Sequence, residues 1–110
     1  MIKGIGIDII DLKRIAKQRE KLAEKILTST ELEQFNKFIE IRQIEYLAGR
    51  FASKEAYYKA SNDRSIGFKD LEIIDDELGK PHINKKNTFI SISHERDYAV
   101  AVVVIEEKID

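Results

Sequence analysis

Asp8, Glu55 and Lys59 are the residues whose types and spacing most suggest chemistry. Glu55 and Lys59 stand four apart, so on a helix they share a face about one turn from each other. Arg50 and Lys54, also four apart, form a neighbouring stripe. An i, i+4 Glu–Lys pair is ordinarily a surface ion pair worth about 0.3–0.5 kcal/mol. Here Phe51, Ala52, Ala56, Tyr57 and Ala60 bracket the charges, and a carboxylate and ammonium partly buried among them would need partners. Asp8 follows Gly4-Ile5-Gly6-Ile7, a stretch that reads as a buried strand, where an unpaired carboxylate is costly. Two carboxylates from separate elements suit Mg²⁺, which takes hard oxygen ligands and commonly one or two carboxylates beside water and phosphate oxygens. Asp8 could instead cap a helix starting near Leu12.

A second group of residues offers hydrogen-bond donors. Ser93-His94 ends an apolar strand at the mouth of a hairpin, and Lys80 lies between Gly79 and Pro81. All three side chains are donors of the kind that grip phosphate. Each is also commonplace in a turn. A two-carboxylate corner and a separate donor-rich corner together suit a diphosphate ligand, and spacing alone takes the reading no further.

These residues must be positioned by a small set of elements. Lys3 to Ile10 alternates into a strand that carries Asp8 near its end. From Asp11 the period changes, and Leu12, Ile15, Leu22, Ala23 and Ile26 fall on one helical stripe. Thr28-Ser29-Thr30 restarts a helix, with Thr30 and Glu33 at capping-box spacing. A long helix covers Ile44 to Ser61, and 61–65 is a polar loop. Phe68 to Ile74 reads as a strand, Asp75-Asp76-Glu77 as a turn and Gly79-Lys80-Pro81 as a second tight connection. Phe89 to His94 alternates, Glu95-Arg96-Asp97 turns, and Tyr98 to Ile105 returns as a Val-rich strand. Helices followed by an antiparallel finish give an α+β class.

Size and composition bound the function. At 110 residues the chain is expected to be one domain, 1–110, with little depth for a water-excluding site inside one subunit, which favours a homo-oligomer. No cysteine is present, so disulfides and thiolate metal sites are excluded, and with His82 and His94 the only histidines a His-cluster zinc site is disfavoured. Asp8 interrupts the first apolar stretch where a signal peptide would need it unbroken, and no apolar run nears the roughly 20 residues of a membrane span. The expected location is the cytoplasm. The net charge of −1 argues against a general nucleic-acid binder. Yet residues 11–25 carry six basic side chains against three acidic ones, which suits either a solvated helix face or an acidic partner.

Taken together, the segments resemble the holo-acyl-carrier-protein synthase family, the small phosphopantetheinyl transferases. Gly4-Ile5-Gly6-Ile7-Asp8-Ile9 with Arg14-Ile15 is similar to the family's opening motif, and the run from Gly49 to Ala60 to its central helix. Phe68 to Ile73, Gly79-Lys80-Pro81, and Ser91-Ile92-Ser93-His94 through Ala101 follow in the expected order. The resemblance implies a small antiparallel sheet with a long helix packed on it, assembled as a homotrimer with sites between subunits. It implies transfer of 4′-phosphopantetheine from coenzyme A to a serine of apo acyl carrier protein, in support of fatty acid biosynthesis. Asp8 and Glu55 would hold Mg²⁺ against the coenzyme diphosphate, Lys59 would steady the charge developing there, and Arg50 would face the 3′-phosphate. Lys80, Pro81, Ser93 and His94 would contact the coenzyme from a neighbouring subunit, and Arg14 would dock the acidic helix of the carrier protein. Glu55 or a hydroxide on the ion could take the serine proton. The loop after Ala60 departs from the family pattern: Ser61-Asn62-Asp63-Arg64 replaces glycine-containing residues, and Asp63 would repel phosphate unless Arg64 offsets it. The competing readings are a catalytically silent carrier-protein or nucleotide binder, and a structural oligomer.

Overall fold

Glycine and alanine decide how closely the two main elements approach. The structure, a computed structural model, describes residues 1–107. Strand β1 (Ile2–Asp11) turns its even-numbered residues toward helix α4 (Glu40–Ser61). A Cβ on Gly4 would collide with the Ala60 carbonyl, and one on Gly6 with the Ala56 carbonyl. On the helix side, Ala48, Ala52, Ala56 and Ala60 recur every four residues and so form one smooth ridge. Ala99 and Ala101 of β5 (Tyr98–Glu106) are fully buried on the same inner face of the sheet. Small residues on both sides thus let the helix backbone lie almost directly on the strands.

The sheet has the order β1-β5-β4, all antiparallel, with β4 spanning Thr88–His94. Asp8 pairs with Ala101, and His94 with Ala99. The other sheet face is bare. Ile5, Ile7 and Ile9 are each more than half exposed there, aligned across β5 with Val104, Val102 and Val100. A two-stranded ribbon, β2 (Ile73–Asp75) with β3 (Pro81–Ile83), forms a second sheet whose β3 packs near β4.

Several sequence expectations are corrected. The stripe from Leu12 to Ile26 is two helices, α1 (Leu12–Ala16) and α2 (Arg19–Ile26), because Gln18 leaves the helical region between them (φ −131°, ψ 28°). Asp11, not Asp8, caps α1, accepting from the Lys13 N–H at 2.9 Å. The capping box of α3 (Ser29–Asn36) is Thr28 with Glu31, two residues earlier than Thr30 with Glu33. Helix α4 begins at Glu40 rather than Ile44. The strand expected over Phe68 to Ile74 is a 3₁₀ turn (Phe68–Asp70) followed by β2, since Asp70 curls back to accept the Gly67 N–H at 2.9 Å. The two expected turns at 75–81 are one hairpin loop, closed by Asp76 N–H to the Lys80 carbonyl at 2.8 Å.

Candidate active site

The close approach of β1 to α4 fixes where Asp8 arrives. The two elements run antiparallel, with Gly4 on Ala60 and Gly6 on Ala56. Two strand residues advance about 6.7 Å and one helix turn about 5.4 Å. Asp8 is therefore carried to the turn that holds Glu55. Lys59, one turn beyond Glu55 on the same helix face, reaches back to it. Its Nζ donates to Asp8 Oδ1 at 2.9 Å and to the Ile7 carbonyl at 2.9 Å. The expected Glu55–Lys59 surface pair is thus replaced by an Asp8–Lys59 pair between elements. Glu55 instead meets Arg64, Oε2 to Nη1, at 3.5 Å.

One oxygen in this corner stands out. Asp8 Oδ2 is buried and has no hydrogen-bond partner among the described residues. Buried carboxylate oxygens are rarely left so, because desolvation without compensation is costly. Two carboxylates with a vacant acceptor between β1 and α4 are a donor set that fits a hard divalent ion. The corner is partly buried, with 15% of the Asp8 side chain and 21% of the Glu55 side chain exposed.

Arg50 belongs to a different place. It lies five residues before Glu55, about 140° around the helix. Its Nη2 donates to Asp75 Oδ1 at 3.0 Å and to the Ile73 carbonyl at 3.2 Å, while the guanidinium stacks on the Tyr46 ring at 4.3 Å. Burial pushes the Tyr46 hydroxyl up to about 12, so it stays a neutral phenol beside that cation. Arg50 lines a cavity of about 160 Å³ together with Pro81, Gly79 and His94. His94 Nδ1 is 3.6 Å from Glu45 Oε2, too long for a hydrogen bond but close enough for attraction once the ring is protonated. Of the residues expected near the coenzyme, Arg50, Pro81 and His94 therefore share one cavity within this chain.

The others are placed elsewhere. Lys80 is exposed on the hairpin, its N–H held by Asp76 Oδ1 at 2.9 Å, and its side chain does not line that cavity. Ser93 alternates with His94 and points to the bare sheet face, beside Val100. Arg14 is exposed on α1, with no carboxylate partner among the described residues.

Sequence reasoning missed four residues. Arg42 and Glu45 line the same cavity, and their offsets of two turns and one turn from Gly49 are the available signal. Asp75, which reads as turn material in the sequence, accepts from Arg50 Nη2 and fixes it. Glu31 was missed altogether. It is fully buried and accepts from Lys54 Nζ at 2.6 Å, the Thr28 N–H at 2.9 Å and the Ile73 N–H at 2.8 Å. Burial pulls the Lys54 ammonium down from its ordinary value, with Glu31 opposing the shift.

The family model of the 4′-phosphopantetheinyl transferase superfamily matches residues 4–103. The chain belongs to that superfamily. A holo-[acyl-carrier-protein] synthase of Geobacillus kaustophilus is 52% identical over 116 residues, covering 96% of this chain and 90% of the relative. That of Bacillus subtilis is 46% identical over 117 residues, covering 96% and 97%. The crystal structure of a holo-(acyl-carrier-protein) synthase from Bacillus anthracis in complex with CoA (3′,5′-ADP) superposes with a TM-score of 0.92 at 43% identity, covering 98% of this chain and 99% of that one. These superfamily likenesses extend over both corners described above, from Asp8 to His94. The α+β fold with a long helix on a small antiparallel sheet is that of the solved synthases. No helix among the described residues is long and apolar enough to cross a membrane.

Proposed function

We propose that this single-domain chain transfers 4′-phosphopantetheine from coenzyme A to a serine of apo acyl carrier protein. The products are holo acyl carrier protein and adenosine 3′,5′-bisphosphate, and the reaction serves fatty acid biosynthesis in the cytoplasm. The observation that carries the reading is the Asp8–Lys59 pair with its unpartnered Asp8 Oδ2, one helix turn from Glu55. Asp8 and Glu55 would hold Mg²⁺. When bound, the ion neutralises charge on the diphosphate and orients it.

In the reaction, the serine hydroxyl oxygen forms a bond to the phosphorus bearing pantetheine, and the bond from that phosphorus to the leaving nucleotide phosphate breaks. Lys59, held by Asp8, places an ammonium where charge shifts toward the leaving group. The serine proton needs an acceptor at the same corner, and Glu55 is the carboxylate there not bonded to Lys59. Arg50, Pro81 and His94 grip the nucleotide end through the cavity they share. Positioning and electrostatics supply most of the catalysis.

Two faces of one helix cannot easily serve one ligand. Lys59 is nine residues from Arg50, about 180° around α4. A neighbouring copy therefore completes the site, the metal corner coming from one subunit and the Arg50–His94 cavity from the next. The bare sheet face supplies the means of assembly as a homotrimer. Its in-register Ile and Val rows, with exposed Phe89, form an apolar patch of the kind that monomers seldom leave in water. Arg14 on the basic α1–α2 surface docks the acidic helix of the carrier protein by charge complementarity.

The decisive experiment is intact-mass analysis of apo acyl carrier protein incubated with the protein, coenzyme A and Mg²⁺. One added phosphopantetheine, abolished by chelator, is expected. Metal-replete protein that leaves several apo carrier proteins unmodified would end the reading.

A further inference from the structure

Helix α4 ends in a way that sends the chain back over its own metal corner. Asn62 adopts the left-handed conformation (φ 55°, ψ 32°), and its N–H bonds to the Tyr58 carbonyl at 2.8 Å. Asparagine tolerates this geometry better than most residues. Asp63 pins the next turn, its Oδ1 accepting from the Ser65 N–H at 2.9 Å and the Ser65 hydroxyl at 2.6 Å. Those hydrogen bonds hold the Asp63 carboxyl below the ordinary carboxylate value, so the turn stays charged and closed. Arg64 is thereby returned to the helix. Its guanidinium lies over the Tyr58 ring at 4.8 Å, and Nη1 stands 3.5 Å from Glu55 Oε2. Tyr58 is itself fixed, its hydroxyl donating to the Ile66 carbonyl at 2.7 Å.

Each carboxylate of the corner thus has a cation from the chain, and the two cations differ. Lys59 engages Oδ1 of Asp8 and leaves Oδ2 vacant, so an incoming ion need not displace it. Arg64 sits against Glu55 from the solvent side, two-thirds exposed, and a divalent ion binding there would meet a like charge. Asp63 is engaged elsewhere: its Oδ1 accepts both Ser65 bonds, and no ion pair joins it to Arg64 among the described residues.

We propose that Arg64 is a competing counter-ion for Glu55: it occupies the carboxylate until a divalent cation displaces it, and so sets the metal affinity of the free protein. The inference rests on the reading of Asp8 and Glu55 as the metal ligands. It gives a purpose to the turn at 61–65 that returns Arg64 to the helix. Removing Arg64 loses an exposed ion pair and a like-charge repulsion, so metal should bind more tightly.

The test is a Mn²⁺ titration of the intact protein without coenzyme, with free Mn²⁺ read by electron paramagnetic resonance. Arg64→Gln is expected to tighten binding about three- to tenfold, the range of an exposed pair plus the lost repulsion. The gain should vanish when Glu55→Gln is also present. Unchanged or weaker affinity in Arg64→Gln overturns the proposal. So does an equal gain in the Glu55→Gln background, which would mark a general charge effect. If Glu55→Gln alone binds Mn²⁺ as well as the unaltered protein, the metal reading itself has failed and this inference falls with it.

Discussion

Lys54 and Glu55 are adjacent, both charged and both on α4, yet one is fully buried in a closed network and the other keeps 21% of its side chain exposed beside a single long ion pair. The hundred or so degrees between them around the helix separate two kinds of polar site. Lys54 Nζ donates to three acceptors, Glu31 Oε1 at 2.6 Å, the Ile26 carbonyl at 2.7 Å and the Phe68 carbonyl at 3.0 Å. Glu31 in turn holds the Thr28 and Ile73 N–H groups. This cluster ties α2, α3, α4, the 3₁₀ turn and β2 together with every demand met. The Asp8–Glu55 corner has one weak ion pair, one strong one and an orphaned oxygen. A satisfied network rigidifies a fold, whereas an incompletely paired one leaves desolvated polar groups uncompensated.

The largest effect should come from breaking the sealed side. Lys54→Met keeps the volume but strands the Glu31 carboxylate and two carbonyls, and unfolding free energy should fall by about 3–5 kcal/mol. Urea denaturation measures it. Replacing both partners by apolar residues often rescues a buried pair, but here it should not. The Thr28 and Ile73 N–H groups would lose their acceptor, and the Ile26 and Phe68 carbonyls their donor. A Lys54→Met, Glu31→Leu double variant as stable as the parent would mean the cluster is only an ion pair.

On the open side, Glu55→Gln should cost transfer about a hundred- to thousandfold while leaving the urea midpoint unchanged. Rates of carrier-protein modification at saturating Mg²⁺ decide it. Full activity would remove Glu55 from the site. A falling midpoint would erase the contrast with Lys54.

That contrast was only half legible in the sequence. The alternation of β1, the Val-rich β5 and the long helix were readable because their periods are strong and their lengths sufficient. Asp8 and Glu55 were readable as candidates because carboxylates among Gly, Ile and Ala residues need a reason. The Asp8–Lys59 pair was not, since the local Glu55–Lys59 spacing offered a nearer answer and only the Gly4–Ala60 approach selects the distant one. Glu31 hid for a similar reason. Thr28-Ser29-Thr30 offers more than one cap, and the choice of Thr28 goes with Glu31, which Lys54 holds from 23 residues away. The break at Gln18 carried no glycine or proline to announce it.

A third class of charge lies wholly in solvent, on α1. Arg14→Glu should weaken association with the carrier protein about tenfold and flatten its salt dependence, without altering coenzyme affinity. Steady-state KM for the carrier protein at low and high salt separates these. A change confined to coenzyme KM would place Arg14 with the site rather than the docking surface.

The smallest effect tests whether satisfaction without burial also organises structure. Asp76 is exposed, but its Oδ1 accepts the Leu78 and Lys80 N–H groups at 2.9 Å each and its Oδ2 meets His82 Nε2 at 2.8 Å. The His82 bond, then the Lys80 and Leu78 N–H bonds, lower its carboxyl below the ordinary 3.8. A carboxylate whose pKa is depressed by folding contributes order that is complete above the ordinary value and fades as the pH falls through the lower, folded one. The hairpin that presents Gly79 and Pro81 to the Arg50 cavity should therefore hold at neutral pH and loosen only below about 4. Amide chemical shifts of Leu78, Gly79 and Lys80 followed through an acid titration should move together, with a midpoint below the ordinary Asp value. Asp76→Asn should abolish that transition. Shifts that instead follow the imidazole range would assign control of the hairpin to His82, and the exposed bonds of Asp76 would then be passengers.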